Sequence, residues 1–249
     1  MIPKIIHYCW FGRNPLPPLA VKCIESWKKF LPDYEIKEWN EDNFDVNSIP
    51  YTREAYEARK YAFVSDYARF YILYHHGGLY FDTDVEVIQP MDDIIGRGAF
   101  MGCASEAYGD DAFRLAVAPG LGLGCNQRQG LYTEILELYS KLNFIDLNGS
   151  YNMTTVVDYT TEILCKHGLR VTNEVQEIEE IFIYPKDYFC PIDEHTNLLN
   201  ITPNTRSIHH YAASWHSSKH KIFKYVAGII GKDTAHKIAV MMKRLKLVK

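Results

Sequence analysis

The N-terminal third of the chain alternates short apolar runs with helical stripes. Ile2 to Trp10 is nearly all apolar, the pattern of a strand buried on both faces. Pro15, Pro17 and Pro18 then interrupt the chain. From Leu19 to Phe30, Ala20, Cys23, Ile24 and Trp27 recur at three and four, which predicts an amphipathic helix. Tyr34 to Trp39 alternates as a short strand does. Arg53 to His76 carries the strongest helical stripe, through Phe63, Tyr67, Phe70, Tyr71 and Tyr74, and Gly77-Gly78 stops it. Leu79-Tyr80-Phe81 reads as a buried strand running into Asp82-Thr83-Asp84. Val85 to Ile88 alternates again, up to Pro90.

Further on, Ala99 to Ala104 is a candidate strand, and Pro119 to Asn126 reads as a glycine-rich connection. Gln129–Leu142 and Thr154–His167 predict helices, and Ile181–Tyr184 and Ser207–Tyr211 predict strands. Ala235 to Val248 predicts a last amphipathic helix, with Ile238, Met241, Met242, Leu245 and Val248 on one side. Strand–helix–strand alternation of this kind indicates the α/β class.

The length of 249 residues suits one large domain with an appendage. The reading places a catalytic domain over residues 1–218 and a basic helical region over 219–249. The net charge of −4 conceals this division. Residues 219–249 hold nine Lys/Arg and one acid, a charge of +8, whereas the rest holds 18 basic and 30 acidic residues, a charge of −12. Lys237, Lys243, Arg244, Lys246 and Lys249 flank the apolar stripe of the last helix. That composition fits either a helix lying on an anionic membrane or one packed on the domain with its basic side in water. No nucleic-acid partner is expected. The six cysteines form no C-x-x-C pair and no zinc spacing, and Met1-Ile-Pro-Lys leads into no secretory pattern. Reduced thiols and a cytoplasmic location, at the inner face of a membrane, are expected.

The candidate chemistry starts at Asp82 and Asp84. Carboxylates two residues apart at a strand end point the same way and can share one hard divalent cation. Two solvated aspartates in a polar turn would look the same. Asp66 and Arg69 stand three apart on the aromatic helix, either as an intrahelical ion pair or as ligands for a phosphate and sugar hydroxyls.

The segments Ser65-Asp66-x-x-Arg69 and Gly77-Gly78-Leu79-Tyr80-x-Asp82-x-Asp84 resemble the D-x-D sugar-transferase family. This is glycosyltransferase family thirty-two and its relatives among yeast initiating mannosyltransferases, bacterial polysaccharide transferases and clostridial glucosylating toxins. Ile2 to Gly12 and His209-His210-Tyr211-Ala212-Ala213-Ser214-Trp215-His216 are similar to its opening and closing segments.

The resemblance implies a GT-A fold: a single Rossmann-like domain with a mixed central sheet and the D-x-D at its centre. It places Cys9 and Trp10 at the nucleotide base, Asp66 and Arg69 at the donor sugar, and Tyr80 near the ribose. Asp82 would serve ribose and metal, Asp84 and His210 the metal, and Ser214 and Trp215 the diphosphate. The stretch Gly120–Gln127 falls where relatives shape the sugar pocket, and Asn126 is the candidate there. Mn²⁺ or Mg²⁺ and a UDP-sugar donor are implied. So is transfer, with retention, of a hexose or N-acetylhexosamine to a glycan acceptor, lipid-linked in the membrane reading, in capsule, lipopolysaccharide or exopolysaccharide synthesis. Two other readings stand beside this one. The first is a phosphohydrolase of the haloacid-dehalogenase type using Asp82 and Asp84. The second is a nucleotide-sugar-binding module without turnover.

Overall fold

The computed structural model describes residues 1–105, 115–192 and 198–212. Two compact units are distinguished: Met1–Pro191 with Asn200–His210, and Ile192–Leu199 with Tyr211–Lys249. Within the second, Ile192 and Leu199 form an isolated antiparallel bridge. The expected boundary at 218/219 and the basic helix lie outside the described residues, as do Ser214 and Trp215. All of the described helices and strands belong to the first unit.

The opening is β1 (Ile5–Cys9), α1 (Pro18–Phe30) and β2 (Glu35–Trp39), with β2 parallel to β1. Pro18 starts α1 at a position where its missing N–H costs nothing. The stripe Ala20, Cys23, Ile24 and Trp27 is the buried face of that helix. The helical stretch expected over Arg53–His76 is two helices, α2 (Pro50–Glu57) and α3 (Tyr61–His76). The break falls at Arg59, whose φ of 56° takes the chain out of helical conformation.

β3 (Gly78–Tyr80) lies parallel to β1, and β4 (Val85–Val87) follows after a turn. Gly78 has φ +99°, and a Cβ there would crowd the Ile5 carbonyl, so only glycine lets β3 lie this close to β1. Beyond it come α4 (Asp92–Arg97), β5 (Ala99–Gly102), β6 (Leu123–Cys125), α5 (Gly130–Ser140) and α6 (Val156–Lys166). The last elements are β7 (Gln176–Ile178), β8 (Ile181–Tyr184), α7 (Lys186–Phe189) and β9 (Ser207–His209).

The main sheet has seven strands in the order β2-β1-β3-β6-β5-β8-β7. β1 is parallel to β2 and β3, and β5 to β8, whereas β6 and β7 run antiparallel to their neighbours. This is the mixed α/β sheet that the resemblance implies. β4 and β9 form a separate two-stranded antiparallel ribbon. α3 is buried along most of its length, with Phe63, Val64, Phe70, Ile72 and Leu73 in the core and Phe70 edge-on to Tyr132 at 4.9 Å. No disulfide joins the six cysteines, and all but Cys165 are buried.

Candidate functional site

β1 and β3 are parallel neighbours, so the chain leaves both strands at the same edge of the sheet. Cys9-Trp10 and Phe81-Asp82 emerge there together. Asp82 ends this run in a turn, with Val85 N donating to Asp82 O at 3.0 Å, and the turn presents Asp84 beside it. β9 returns antiparallel to β4, with His209 opposite Val85, and this register carries the His209 ring to the turn. His209 Nε2 lies 3.1 Å from Asp84 Oδ1. Donor atoms of Asp82, Asp84 and His209 all lie within 4.8 Å of one another.

Two carboxylates and an imidazole are a donor set for a divalent cation of the Mn²⁺ or Mg²⁺ kind. Burial disfavours the protonated His209 ring, but the bond to Asp84 outweighs it and raises the imidazole above its ordinary value.

The resemblance implies His210 as the histidine ligand, whereas the structure places His209 at the aspartates. Successive side chains on a strand face opposite ways. The register with β4 turns His209 to Asp84, while His210 Nε2 reaches Glu86 Oε2 at 2.8 Å instead. The structure thus brings His209, rather than its neighbour, to the carboxylate pair.

Asp66 and Arg69 lie beneath this cluster on α3, at 8 % and 4 % exposure, so they are no solvated surface pair. Arg69 Nη2 donates to Asp66 Oδ1 at 2.9 Å and stands 3.4 Å from Asp82 Oδ1. Its guanidinium lies 5.0 Å from the centre of the Tyr80 ring. Burial opposes the Arg69 charge, but Asp82, Tyr80 and Asp66 outweigh it and hold the guanidinium protonated. Burial raises the Asp66 carboxyl to about 6 against the pull of Arg69, with Asp82 adding to the rise. Asp66 also accepts the Val156 N–H at the start of α6, where the helix dipole favours an anion.

Tyr80 is fully buried, and its hydroxyl donates to Asp82 Oδ1 at 3.1 Å. It is thus placed to orient Asp82. The Cys9 thiol is buried beside the Tyr80 and Ser65 hydroxyls, and burial pushes it up to about 12, so it remains a neutral thiol. Trp10 is half-buried, with its indole N–H on the Asn14 carbonyl at 2.6 Å.

The 118–122 turn closes another side. Gly120 O accepts from Asp82 N at 3.2 Å, and a Cβ on Gly120 would overlap Asp82 Oδ2. Asn126 is not brought to this place. β6 runs antiparallel to β3, with Leu123 opposite Tyr80 and Cys125 opposite Gly78. Asn126 therefore lies exposed at the far end of the strand, and Gly120 is the residue of that stretch at the aspartates. Sequence reasoning misses Gly120, His209 and the α6 N-terminus. Only the His-His pair leaves a signal, because strand alternation allows one of the two to face the cluster.

The α/β sheet thus carries an Asp-x-Asp turn at a strand end, a histidine beside it and a buried Asp–Arg pair beneath it. Residues 17–101 match the model of the family described as the glycosyltransferase sugar-binding region containing a DXD motif. An uncharacterized glycosyltransferase of Acanthamoeba polyphaga mimivirus is 36% identical over 106 residues, 40% of this chain and 42% of that protein. Inositol phosphoceramide mannosyltransferase 3 of Schizosaccharomyces pombe is 33% identical over 104 residues, 40% of this chain and 29% of that protein. Among solved structures, a glycosyltransferase involved in the glycosylation of the major capsid of PBCV-1 superposes over 85% of this chain and 95% of its own. Its TM-score is 0.48 and its identity 11%. The matches span less than half the length of these curated relatives.

Proposed function

We propose that the protein is a metal-dependent glycosyltransferase that moves a hexose or N-acetylhexosamine, with retention, from a nucleoside-diphosphate sugar to a glycan or glycolipid acceptor. The observation that carries this reading is the convergence of Asp82, Asp84 and His209 above the buried Asp66–Arg69 pair. A leaving diphosphate accumulates negative charge, and a divalent cation held by the three donors would offset that charge as a Lewis acid.

The chain's own residues do the rest. Arg69, fixed by Asp66 and Asp82, supplies a permanent positive charge under the site. Asp66, anchored by Arg69 and the α6 N-terminus, offers its remaining acceptor capacity to sugar hydroxyls. Tyr80 orients Asp82 through its hydroxyl. Trp10, at the same sheet edge, offers an aromatic surface to the base. Ser214 and Trp215 are read as diphosphate contacts from the resemblance alone.

UDP-sugars remain the expected donors. The name of one relative, an inositol phosphoceramide mannosyltransferase, adds a mannosyl donor and a lipid-borne acceptor to the set worth testing. Among the described residues no helix is long and apolar enough to cross a membrane. The +8 segment 219–249 is read as the contact to an anionic bilayer. A panel of UDP- and GDP-sugars, assayed for nucleoside diphosphate release with Mn²⁺ and with chelator, tests the proposal. Metal-dependent release from one sugar supports it. Metal-dependent binding without turnover, with or without acceptor glycans, points to a binding module. Phosphate release from simple monoesters points to the phosphohydrolase.

A further inference from the structure

The β4–β9 ribbon offers two adjacent imidazoles to two different carboxylates, and only one of these belongs to the cation cluster. His209 meets Asp84, whereas His210 Nε2 meets Glu86 Oε2 at 2.8 Å. The same Glu86 oxygen accepts from Lys22 Nζ of α1 at 2.7 Å. Glu86 is the middle residue of β4, between the buried Val85 and Val87, so its side chain leaves by the opposite face of the ribbon from theirs. The Glu86 and His210 side chains are 19% and 26% exposed, so this arm of the contact is largely shielded from water. β4 itself is fastened to α1: Trp27 Nε1 donates to Val85 O at 2.8 Å, and Val87 N donates to Ser26 Oγ at 3.0 Å.

We infer that Glu86 is a positioning residue for the cation site. By holding Lys22 of α1 and His210 beyond β9, it fixes how β9 lies against β4 and so keeps the His209 ring at Asp84. β9 is three residues long and, among the described residues, pairs only with β4. A ribbon of two short strands is marginal without additional anchorage. The His210 N–H on the Asp84 carbonyl, at 3.0 Å, is a backbone tie at the same point. Arg206, paired with Asp93 at 2.7 Å, ties the start of β9, and Glu86, bonded to Lys22 of α1, supplies the side-chain tie at its His210 end. Partners that orient metal ligands from outside commonly change metal affinity when removed, without themselves touching the ion.

This inference rests on the metal-dependent reading above, and one experiment separates the two. Mn²⁺ alone is titrated into the full chain and followed by loss of the free-ion EPR signal, with thermal unfolding run in parallel. The proteins are wild type, Glu86→Met, His210→Ala, the double variant and His209→Ala. The expected result is that Glu86→Met and His210→Ala each weaken binding about tenfold. The double variant should bind no more weakly than either single, with folding preserved, and His209→Ala should abolish binding. Should Glu86→Met fail to fold, Glu86→Asp, which keeps the charge and shortens the reach, replaces it with the same expectation. Wild-type affinity in Glu86→Met overturns the inference. Weakening in Glu86→Met without weakening in His210→Ala also overturns it, because the effect is then one of charge alone. A loss in His210→Ala far larger than in Glu86→Met, and additive with it, overturns it by making His210 the ligand. Absence of Mn²⁺ binding by wild type overturns both the inference and the reading beneath it. Binding lost only in His209→Ala keeps that reading and removes Glu86 from it.

Discussion

Gly120→Ala is a one-carbon test of how tightly the site is built. The added Cβ would overlap Asp82 Oδ2, and it would lie 3.0 Å from Asp82 Cγ and 3.2 Å from Arg69 Nη1. The Gly120 backbone is not in the left-handed region, so alanine is permitted there and only the neighbours must move. The Asp82 carboxylate is the part free to yield, because it is 29% exposed and Arg69 is 4% exposed. It has to retreat by about 1 Å, which breaks the bonds from Tyr80 at 3.1 Å and from Arg69 at 3.4 Å. A misplacement of about 1 Å in a reacting constellation costs roughly 100-fold in rate, or about 2.7 kcal/mol of transition-state stabilisation. Folding should change little: replacing glycine by alanine in a permitted conformation adds about 0.4–1 kcal/mol, offsetting part of the lost Asp82 contacts. The assay is nucleoside diphosphate release at saturating donor and Mn²⁺, with thermal unfolding alongside. Wild-type turnover in Gly120→Ala would refute the claim that the carboxylate position matters. A protein that no longer folds would show that Gly120 serves the sheet rather than the site.

Three further outcomes are expected from the same geometry. Arg69→Met leaves Asp66 buried without its partner and should destabilise the fold by about 3–5 kcal/mol, read by urea denaturation, with Asp66→Asn in that background recovering part of it. His7 is fully buried, accepts from Trp39 Nε1 at Nδ1 and donates to Gly77 O from Nε2, and its burial lowers it to about 4. The unfolded chain then binds the extra proton first, so stability falls as pH drops from about 6.5 towards 4, by on the order of 3 kcal/mol. Asp66, raised to about 6, acts in the opposite sense below that pH. Urea midpoints between pH 7 and 4.5 should therefore fall more steeply in Asp66→Asn than in wild type, and less steeply in His7→Asn. Trp10→Ala should raise the donor KM by roughly 5- to 150-fold, the equivalent of the 1–3 kcal/mol of one stacked base, with kcat little changed in steady-state kinetics.

Much of this arrangement is legible in the chain because it is local. The α1 stripe, the α3 stripe, the glycine stop and the Asp-x-Asp at a strand end depend on residues a few positions apart, and each is found where periodicity puts it. Asp66 and Arg69 stand out because a charged pair interrupts an aromatic stripe. The misses are non-local. β6 reads as a loop because it carries glycine, yet Gly124 is needed there: a Cβ would strike the Phe100 ring of the neighbouring strand β5. The resemblance puts Asn126 at the pocket, but the antiparallel direction of β6 carries it to the other end of the sheet. Which of His209 and His210 faces the aspartates depends on pairing with β4, more than a hundred residues away, and a slip of one residue would exchange them.

The central claim is that Asp82, Asp84 and His209 hold a cation that the transfer needs. It is tested most directly by nucleoside diphosphate release from the accepted donor, with Mn²⁺ and with chelator, in wild type, Asp84→Ala and His209→Ala. The account predicts release by wild type with Mn²⁺, none with chelator, and a loss of at least about 100-fold in both variants while folding is kept. Undiminished, chelator-resistant release in Asp84→Ala would contradict it.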